Sequence, residues 1–348
     1  MNRRALIKAL GSAVLLSGGA VPSLVWSQGT PQLLVPPVVT STLFHVFGVL
    51  PEPVEIKRVF VAGMPASLFV NSVAPKQLLG WPAELPQKAL PWLSEFSRDL
   101  PLLAPLADVN PDIIIQIGDA SEQELAKAQQ LHEQTGIPYV VVAGGIKDSP
   151  EQLRILGAIL GHQRHGQQLA VAAQEVLDEV MAKRTAFKSK APSIYLAHSD
   201  NGLQTVGANS TRSEVIDLVG AKNVVPSTAD GQVAPVSIEQ VMAWDPELIL
   251  TQNITFYNEV YNSPPWQELA AVRNKKVFFI PDVPFAWLDG QPSVNRLFGA
   301  LWLCSLLHQE EQSVLIEKLR HLFILFFAYD PGQKSLQDLL NNPVAFAA

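Results

Sequence analysis

The chain has 348 residues, of which 48% are hydrophobic and 16% are charged, so it is long and apolar enough to form two domains. Its formal net charge is -7, which argues against nucleic-acid binding because phosphate recognition needs a clustered basic surface. The single cysteine, Cys304, excludes an internal disulfide and any zinc or iron–sulfur centre built from several thiolates. Any bound metal is therefore expected to have other ligands or to arrive inside a chelate.

Residues 1–27 have the pattern of an export signal. Arg3, Arg4 and Lys8 precede an apolar stretch that is shorter than the ~20 residues of a membrane span and contains glycine and proline. Cleavage is predicted near Gln28, after either a twin-arginine-like or a general secretory signal. No cysteine near this point could carry a lipid anchor, so we expect a soluble periplasmic protein.

Strand and helix patterns alternate in the first half of the mature chain. Three continuous apolar runs are predicted strands: Arg58–Ala62, Asp112–Ile117 and Tyr139–Ala143. Such runs are typical of parallel strands that are covered on both faces. Between the second and the third, Ser121–Gln134 is a predicted helix, with Ser121 as its N-cap and Glu124 at the capping-box position. This alternation predicts βαβ units.

A helical connection is predicted over Ser149–Lys190. The pattern indicates a short helix, a break at Gly161, and a long helix from about Arg164 to Phe187 with its apolar residues on one face. A helix of ~24 residues is roughly 36 Å long, which is enough to connect two domains. Because such a connection is stiff, we expect only small domain movements on ligand binding.

The second half repeats the strand pattern of the first. Its predicted strands are Ser193–Ala197, Glu247–Thr251 and Lys276–Ile280. In addition, Asp245–Leu250 resembles Asn110–Ile115, since each is a proline-and-acid turn that enters an apolar run. We therefore predict an α/β fold with two Rossmann-like lobes, residues 28–149 and 191–348, whose central sheets are parallel. One long α-helix within residues 150–190 joins them, and a ligand cleft lies between them.

The loops that follow the predicted strands supply the candidate ligand-binding residues, because open parallel sheets bind ligands beyond the carboxyl ends of their strands. The candidates are Met64, Asp119, His198, Arg212, Phe256, Tyr257, Trp287 and Asp289. The aromatic rings would suit a macrocycle or an aromatic chelator, and Arg212 would meet a negative chelate. For the aromatic residues the alternative is burial in a lobe core. Arg296 could also meet a negative chelate, but helix capping or an internal ion pair is favoured for it.

His198 directly follows a predicted strand and is the best-placed histidine for coordinating or hydrogen-bonding a ligand. The other histidines are dispersed along the sequence, whereas a naked transition metal needs several convergent ligands. A chelated metal is therefore favoured over a bare one. A structural role for His198 is the alternative.

Five stretches carry a family resemblance: Asn110–Gly118, Gly136–Ala143, Val236–Gln252, Lys276–Pro281 and Pro284–Trp302. They resemble the periplasmic substrate-binding proteins of iron-complex ABC importers, which carry ferric siderophores, haem or cobalamin. The resemblance covers nearly the whole mature chain. It implies a monomeric, non-enzymatic protein with no cofactor of its own. Such a protein captures an iron complex, either a siderophore or a haem-like chelate, and delivers it to the ABC importer.

The resemblance also implies that one acidic residue on each lobe docks onto the permease dimer. Glu239 corresponds to the acid of the second lobe, and Glu122, with Glu124 as the alternative, corresponds to that of the first. Ordinary solvated helix charge is the competing interpretation for all three residues.

Other cargoes and one other class of protein remain as alternatives. Cobalamin, a nickel or cobalt complex, or an oxyanion would use the same cleft. Cobalamin is disfavoured because its binding proteins carry tryptophan where this chain has Ile117 and Val233. A metal-chelatase-like enzyme is the weakest alternative, because a cytosolic chelatase would not need the export signal.

Overall fold

The computed structural model describes residues 41–187, 190–227, 232–290 and 293–347. They belong to one compact unit that begins at Val39. The predicted export signal lies outside the described residues.

The first lobe is built around a four-stranded sheet. Its elements are β1 (Phe44–Phe47), β2 (Val59–Val61), α1 (Met64–Val73), α2 (Glu95–Arg98), β3 (Ile113–Gly118), α3 (Glu122–Thr135) and β4 (Tyr139–Ala143). The strand order is β1-β4-β3-β2, in which β2, β3 and β4 are parallel. Strand β1, which the sequence patterns did not predict, pairs antiparallel with β4, so this sheet is mixed rather than wholly parallel.

Two helices connect the lobes: α4 (Ser149–Ile159) and α5 (Gln163–Arg184). The chain turns between them at Gly161, whose φ of +75° favours glycine, and this confirms the predicted break. Helix α5 has 22 residues and is therefore about 33 Å long. The side chains of Leu169, Val176 and Val180 are buried on its inner face.

The second lobe contains a parallel sheet with the strand order β10-β9-β5-β7 and a small antiparallel pair, β6 and β8. Its strands are β5 (Ser193–Ala197), β6 (Gln204–Val206), β7 (Lys222–Asn223), β8 (Val233–Pro235), β9 (Leu248–Thr251) and β10 (Val277–Phe279). Its helices are α6 (Glu214–Leu218), α7 (Ile238–Trp244), α8 (Ile254–Glu259), α9 (Pro264–Gln267) and α10 (Ala270–Arg273), followed by α11 (Asn295–His308), α12 (Gln312–Phe327) and α13 (Gly332–Asn341).

An aromatic cluster joins the first lobe to the C-terminal helices. The ring of Trp92 lies 5.5 Å from that of Phe323, and the ring of Trp81 lies 5.7 Å from that of Phe285. These residues belong to one continuous hydrophobic core. The lobes therefore share buried apolar surface in addition to the helical connection, which favours small domain movements. Within the described ranges, no helix combines the length and the apolar character that crossing a bilayer requires.

Candidate functional site

A cavity of about 940 Å³ lies between loops of the two lobes. Its first-lobe wall consists of residues 117–121 and 143–145, at the carboxyl ends of β3 and β4, together with Pro65. Its second-lobe wall consists of residues 208–211, Glu214, Asp217 and Arg296. The parallel strands thus place the cavity where an open α/β sheet is expected to bind a ligand.

The cavity wall combines polar and apolar surface and carries more acidic than basic side chains. Asp119, Glu214 and Asp217 contribute carboxylates, and Arg296 contributes one guanidinium. Asp119 is engaged locally, because its carboxylate accepts hydrogen bonds from the backbone and side chain of Ser121, both at 2.9 Å. Among the described lining residues there is no aromatic side chain. The wall therefore offers hydrogen bonds and charge rather than flat apolar surface.

Arg296 forms the internal ion pair that was the alternative to ligand contact. Its Nη1 lies 2.6 Å from Oε2 of Glu214 and 2.8 Å from the carbonyl oxygen of Thr211. The residue is only 4% exposed, and this burial lowers the pKa of the guanidinium, while Glu214 opposes the shift. Arginine remains charged in proteins, so this buried cation depends on its partners.

Three predicted binding residues lie together beside the cavity. Nε2 of His198 is 3.2 Å from Oδ2 of Asp289, and Nη1 of Arg212 is 3.6 Å from Oδ1 of Asp289. Asp289 is 5% exposed. Arg212 directly follows Thr211, which lines the cavity. The sequence thus identified a real cluster of side chains, although its members are not themselves lining residues.

The surroundings of the His198 imidazole favour its neutral form. Burial lowers its pKa, and the charge of Arg212 lowers it further, while Asp289 opposes both effects. Despite its closeness to Asp289, Nε2 has no hydrogen-bond partner in the described part of the chain. A neutral imidazole can accept a hydrogen bond from a ligand or fill an open coordination position of a chelated metal.

The lowered pKa of His198 predicts a pH-dependent loss of stability. Since the unfolded chain binds a proton on this histidine more readily than the folded chain does, acidification from about pH 8 to about pH 5 should reduce the free energy of unfolding. The His198→Gln variant should show a smaller reduction over the same range when both proteins are unfolded with urea. Equal pH dependence of the unfolding free energy in the two proteins would contradict a lowered pKa of His198.

The predicted aromatic residues lie in the lobe core and not on the cavity wall. Phe256 is 2% exposed, and its ring packs edge-on against Trp266 at 4.8 Å. Trp287 is 1% exposed, and its indole N–H donates to the carbonyl oxygen of Val283 at 2.9 Å. Tyr257 is half-buried, with its ring 5.6 Å from that of Phe279. Their positions match the core alternative, because Phe256 and Tyr257 on α8 and Trp287 on its loop pack against rings of their own lobe.

Met64 and Asp119 occupy the first-lobe side. Asp119 lines the cavity directly, whereas Met64 begins helix α1 and is followed by the lining residue Pro65. The thioether of Met64 lies 3.7 Å from Oγ of Ser67. Met64 is therefore beside the cavity but engaged within its own helix.

The three predicted docking acids differ in their freedom to bind a partner. Glu239 is exposed in the first turn of α7, and hydrogen bonds from the Ser237 side chain and from its own backbone amide lower its pKa. Glu124 is paired with Lys127 at 2.6 Å and accepts from Gln116 at 3.2 Å. Glu122 is exposed and has no side-chain partner within the described ranges. Glu122 and Glu239 are thus the more available pair.

The second-lobe wall of the cavity was not predicted from the sequence. Residues 208–211 and Glu214 follow β6, a three-residue strand that had not been predicted. The run of small and polar residues from Gly207 to Thr211 was the available signal, because such residues allow close approach of a ligand to the backbone.

Comparison with known proteins gives consistent similarities. The family model described as periplasmic binding protein matches residues 105–284. The chain is 28% identical over 173 residues to the molybdate-binding protein MolA of Haemophilus influenzae, a region that covers 48% of this chain and 48% of that protein. It is 26% identical over 200 residues to the vitamin B12-binding protein of Vibrio parahaemolyticus, covering 56% of this chain and 68% of that one.

A solved structure extends the similarity to most of the chain. The ABC transporter solute binding protein from Sulfurospirillum deleyianum superposes with a TM-score of 0.75 at 30% identity, covering 83% of this chain and 94% of that chain. In contrast, the chain spans about half the length of the Haemophilus protein.

Proposed function

The chain belongs to the periplasmic binding protein family and is a substrate-binding protein rather than an enzyme, and on this basis we propose that it captures a hydrophilic metal chelate for an ABC importer. The chelate that fits best is an iron–siderophore complex. It would bind in the cavity between the lobes and leave it unaltered. The protein would act in the periplasm as a monomer.

This proposal rests on the size of the cavity and on its lining by residues of both lobes. A volume of about 940 Å³ lies within the range of ~300–1,000 Å³ that is typical of pockets for drug-sized ligands. Both lobes contribute to the wall, so a ligand of this size would contact both. A tetrahedral oxyanion would leave most of this volume to water.

The chemistry of the wall favours an uncharged or cationic chelate. Glu214 is paired with Arg296 and Asp217 with Arg184, so among the described lining carboxylates only Asp119 has no cationic partner. Its charge opposes an anion and supports a ligand with hydrogen-bond donors. Haem would find no aromatic ring to stack on among the described lining residues. The metal would stay inside its chelate, since the described residues include no group of three or more side chains able to hold an ion.

An oxyanion is the second candidate. The similarity to a molybdate-binding protein favours it, as do the side chains of Ser121, Ser210, Thr211 and Arg296 near the cavity. Hydroxyl groups and a guanidinium are common oxyanion donors. A dianion would, however, have to overcome the charge of Asp119, which has no cationic partner among the described residues.

Isothermal titration with a panel of ligands separates these candidates. The panel consists of cationic ferrioxamine B, anionic ferric enterobactin, haemin, cyanocobalamin and sodium molybdate. We expect ferrioxamine B to bind at least about tenfold more tightly than the others, a difference of ~1.4 kcal/mol. Tighter binding of molybdate would show that the cargo is an oxyanion and not a chelate. If none of the panel compounds binds, both candidates are refuted.

Permease docking through Glu239 gives a separate prediction. The Glu239→Arg variant should reduce uptake about tenfold or more, because a like charge placed against a basic pocket costs several kcal/mol. Its affinity for the ligand in solution should stay within about twofold, since Glu239 is exposed and outside the cavity. Glu268→Arg is the matched control on the same lobe. Normal uptake by the Glu239→Arg variant would show that Glu239 does not dock onto the permease.

A further inference from the structure

The carboxylate of Glu214, in the second lobe, accepts a hydrogen bond from the backbone of the first lobe. Both carboxylate oxygens of Glu214 lie 3.2 Å from the backbone nitrogen of Ile146, which donates its N–H. Oε2 also accepts from Nη1 of Arg296 at 2.6 Å. Glu214, Arg296 and the adjacent Gly145 all line the large cavity. This contact between the lobes is thus part of the cavity wall.

The first-lobe loop is shaped to receive the carboxylate. The amide of Gly145 donates to Oδ2 of Asp148 at 2.8 Å, and the amide of Asp148 donates to the carbonyl oxygen of Gly145 at 3.1 Å. These bonds fix the turn and leave the amide of Ile146 facing Glu214. The carboxylate therefore satisfies the backbone N–H of Ile146.

Gly145 provides the space for this contact. A Cβ atom at this position would lie 2.3 Å from Oε1 of Glu214. The backbone of Gly145 has φ of -107° and ψ of -159°, an extended conformation that any residue adopts. A side chain at Gly145 is therefore opposed by the carboxylate of Glu214 and not by the turn itself.

Arg296, which also belongs to the second lobe, holds the carboxylate of Glu214 in place. Its Nη1 bridges Glu214 and the carbonyl oxygen of Thr211, which also lines the cavity. The side chain of Arg296 is 5% exposed, and that of Glu214 is 26% exposed. A displacement of Glu214 would therefore disturb both the lobe contact and the position of Thr211.

We propose that Glu214 is a positioning residue that sets the separation of the two lobes at the ligand cavity. We call the contact of Glu214 with the Ile146 amide and Arg296 the Glu214 clasp. The clasp holds the 143–146 loop against the second-lobe wall and thereby fixes the width of the site. Its effect on affinity rests on the proposed function, whereas its effect on lobe separation does not.

The test combines substitutions on both sides of the clasp: Gly145→Ala, Glu214→Ala and the double variant. Lobe separation is measured without ligand by double electron–electron resonance between spin labels on cysteines introduced at exposed Gln130 and Glu268. The native Cys304 is 2% exposed and should not be labelled. Asp217→Ala is the matched control, because Asp217 lines the cavity but pairs with Arg184 of the linking helix.

Each single clasp variant should broaden or lengthen the distance distribution, and Asp217→Ala should leave it unchanged. The double variant should resemble Glu214→Ala alone, because the added methyl group no longer meets a carboxylate. Unchanged distances in both single variants, or fully additive changes in the double variant, would overturn the proposal. Should Glu214→Ala fail to fold, Glu214→Ser, which also removes the carboxylate, provides the same comparison with Gly145→Ala.

Measuring ligand binding by the same variants distinguishes failure of the Glu214 clasp from failure of the proposed function. Gly145→Ala should weaken binding of ferrioxamine B about tenfold through loss of preorganisation. If the wild-type protein does not bind ferrioxamine B while the distances change as expected, only the proposed cargo fails. If it binds and neither the distances nor the affinity change in the variants, the clasp fails.

Discussion

The Ala208→Trp variant is expected to bind ferrioxamine B at least about a hundredfold more weakly than the wild-type protein, a loss of ~2.7 kcal/mol. Ala208 is an exposed residue on the second-lobe wall of the cavity. An indole at this position would occupy space that the ligand needs. It would not enter the hydrophobic core, so the free energy of unfolding should change little.

Ala182→Trp is the matched control for this experiment. Ala182 is also exposed, but it lies near the end of α5 and outside the cavity. Titration calorimetry should give the wild-type affinity for this variant. Retained affinity in Ala208→Trp, or an equal loss in both variants, would show that the ligand binds elsewhere.

The Trp287→Ala variant should lose about 3–5 kcal/mol of unfolding free energy, because it removes a large buried side chain and leaves a cavity. Trp287 is 1% exposed and packs against Phe298 with a ring separation of 6.0 Å. The indole also satisfies the carbonyl oxygen of Val283. Its loss would therefore leave both a void and an unpaired buried acceptor.

Urea unfolding of Trp287→Ala and Trp287→Phe tests this assignment. The phenylalanine variant keeps most of the ring volume and should lose clearly less stability than the alanine variant. A Trp287→Ala protein of normal stability with weakened ligand binding would instead place Trp287 in the ligand site, as its sequence position had indicated.

The main elements of both sheets could be predicted because their signals are local. The six predicted strands, among them Tyr139–Ala143 and Ser193–Ala197, are present to within one residue at either end. Ser121 caps helix α3 as predicted, although Glu124 pairs with Lys127 and does not complete a capping box. Continuous apolar runs and capping residues act over a few positions and therefore appear directly in the sequence.

The missing elements depend on contacts between distant residues. Strand β1 is only four residues long and half-buried, and it is stabilised by pairing with β4 almost a hundred residues later. Strand β6 has three residues and pairs with β8. Short strands of this kind have little pattern of their own, so tertiary pairing decides whether they form.

From the sequence, the location of the candidate site was predicted better than the side chains that line it. Asp119 lies in the cavity wall because its position after a buried strand determines where it is placed. The aromatic candidates were chosen for what their rings could bind, but the direction of a side chain depends on packing. Asn253 caps α8 and thereby turns the following helix so that Phe256 faces the core.

Native mass spectrometry of protein purified from its own cell envelope, combined with its absorption spectrum, tests the central claim most directly. We expect one small metal chelate per protein molecule, which is released on denaturation with its mass unaltered. A chemically changed ligand, or a protein that carries no small molecule and binds none of the panel compounds, would contradict it.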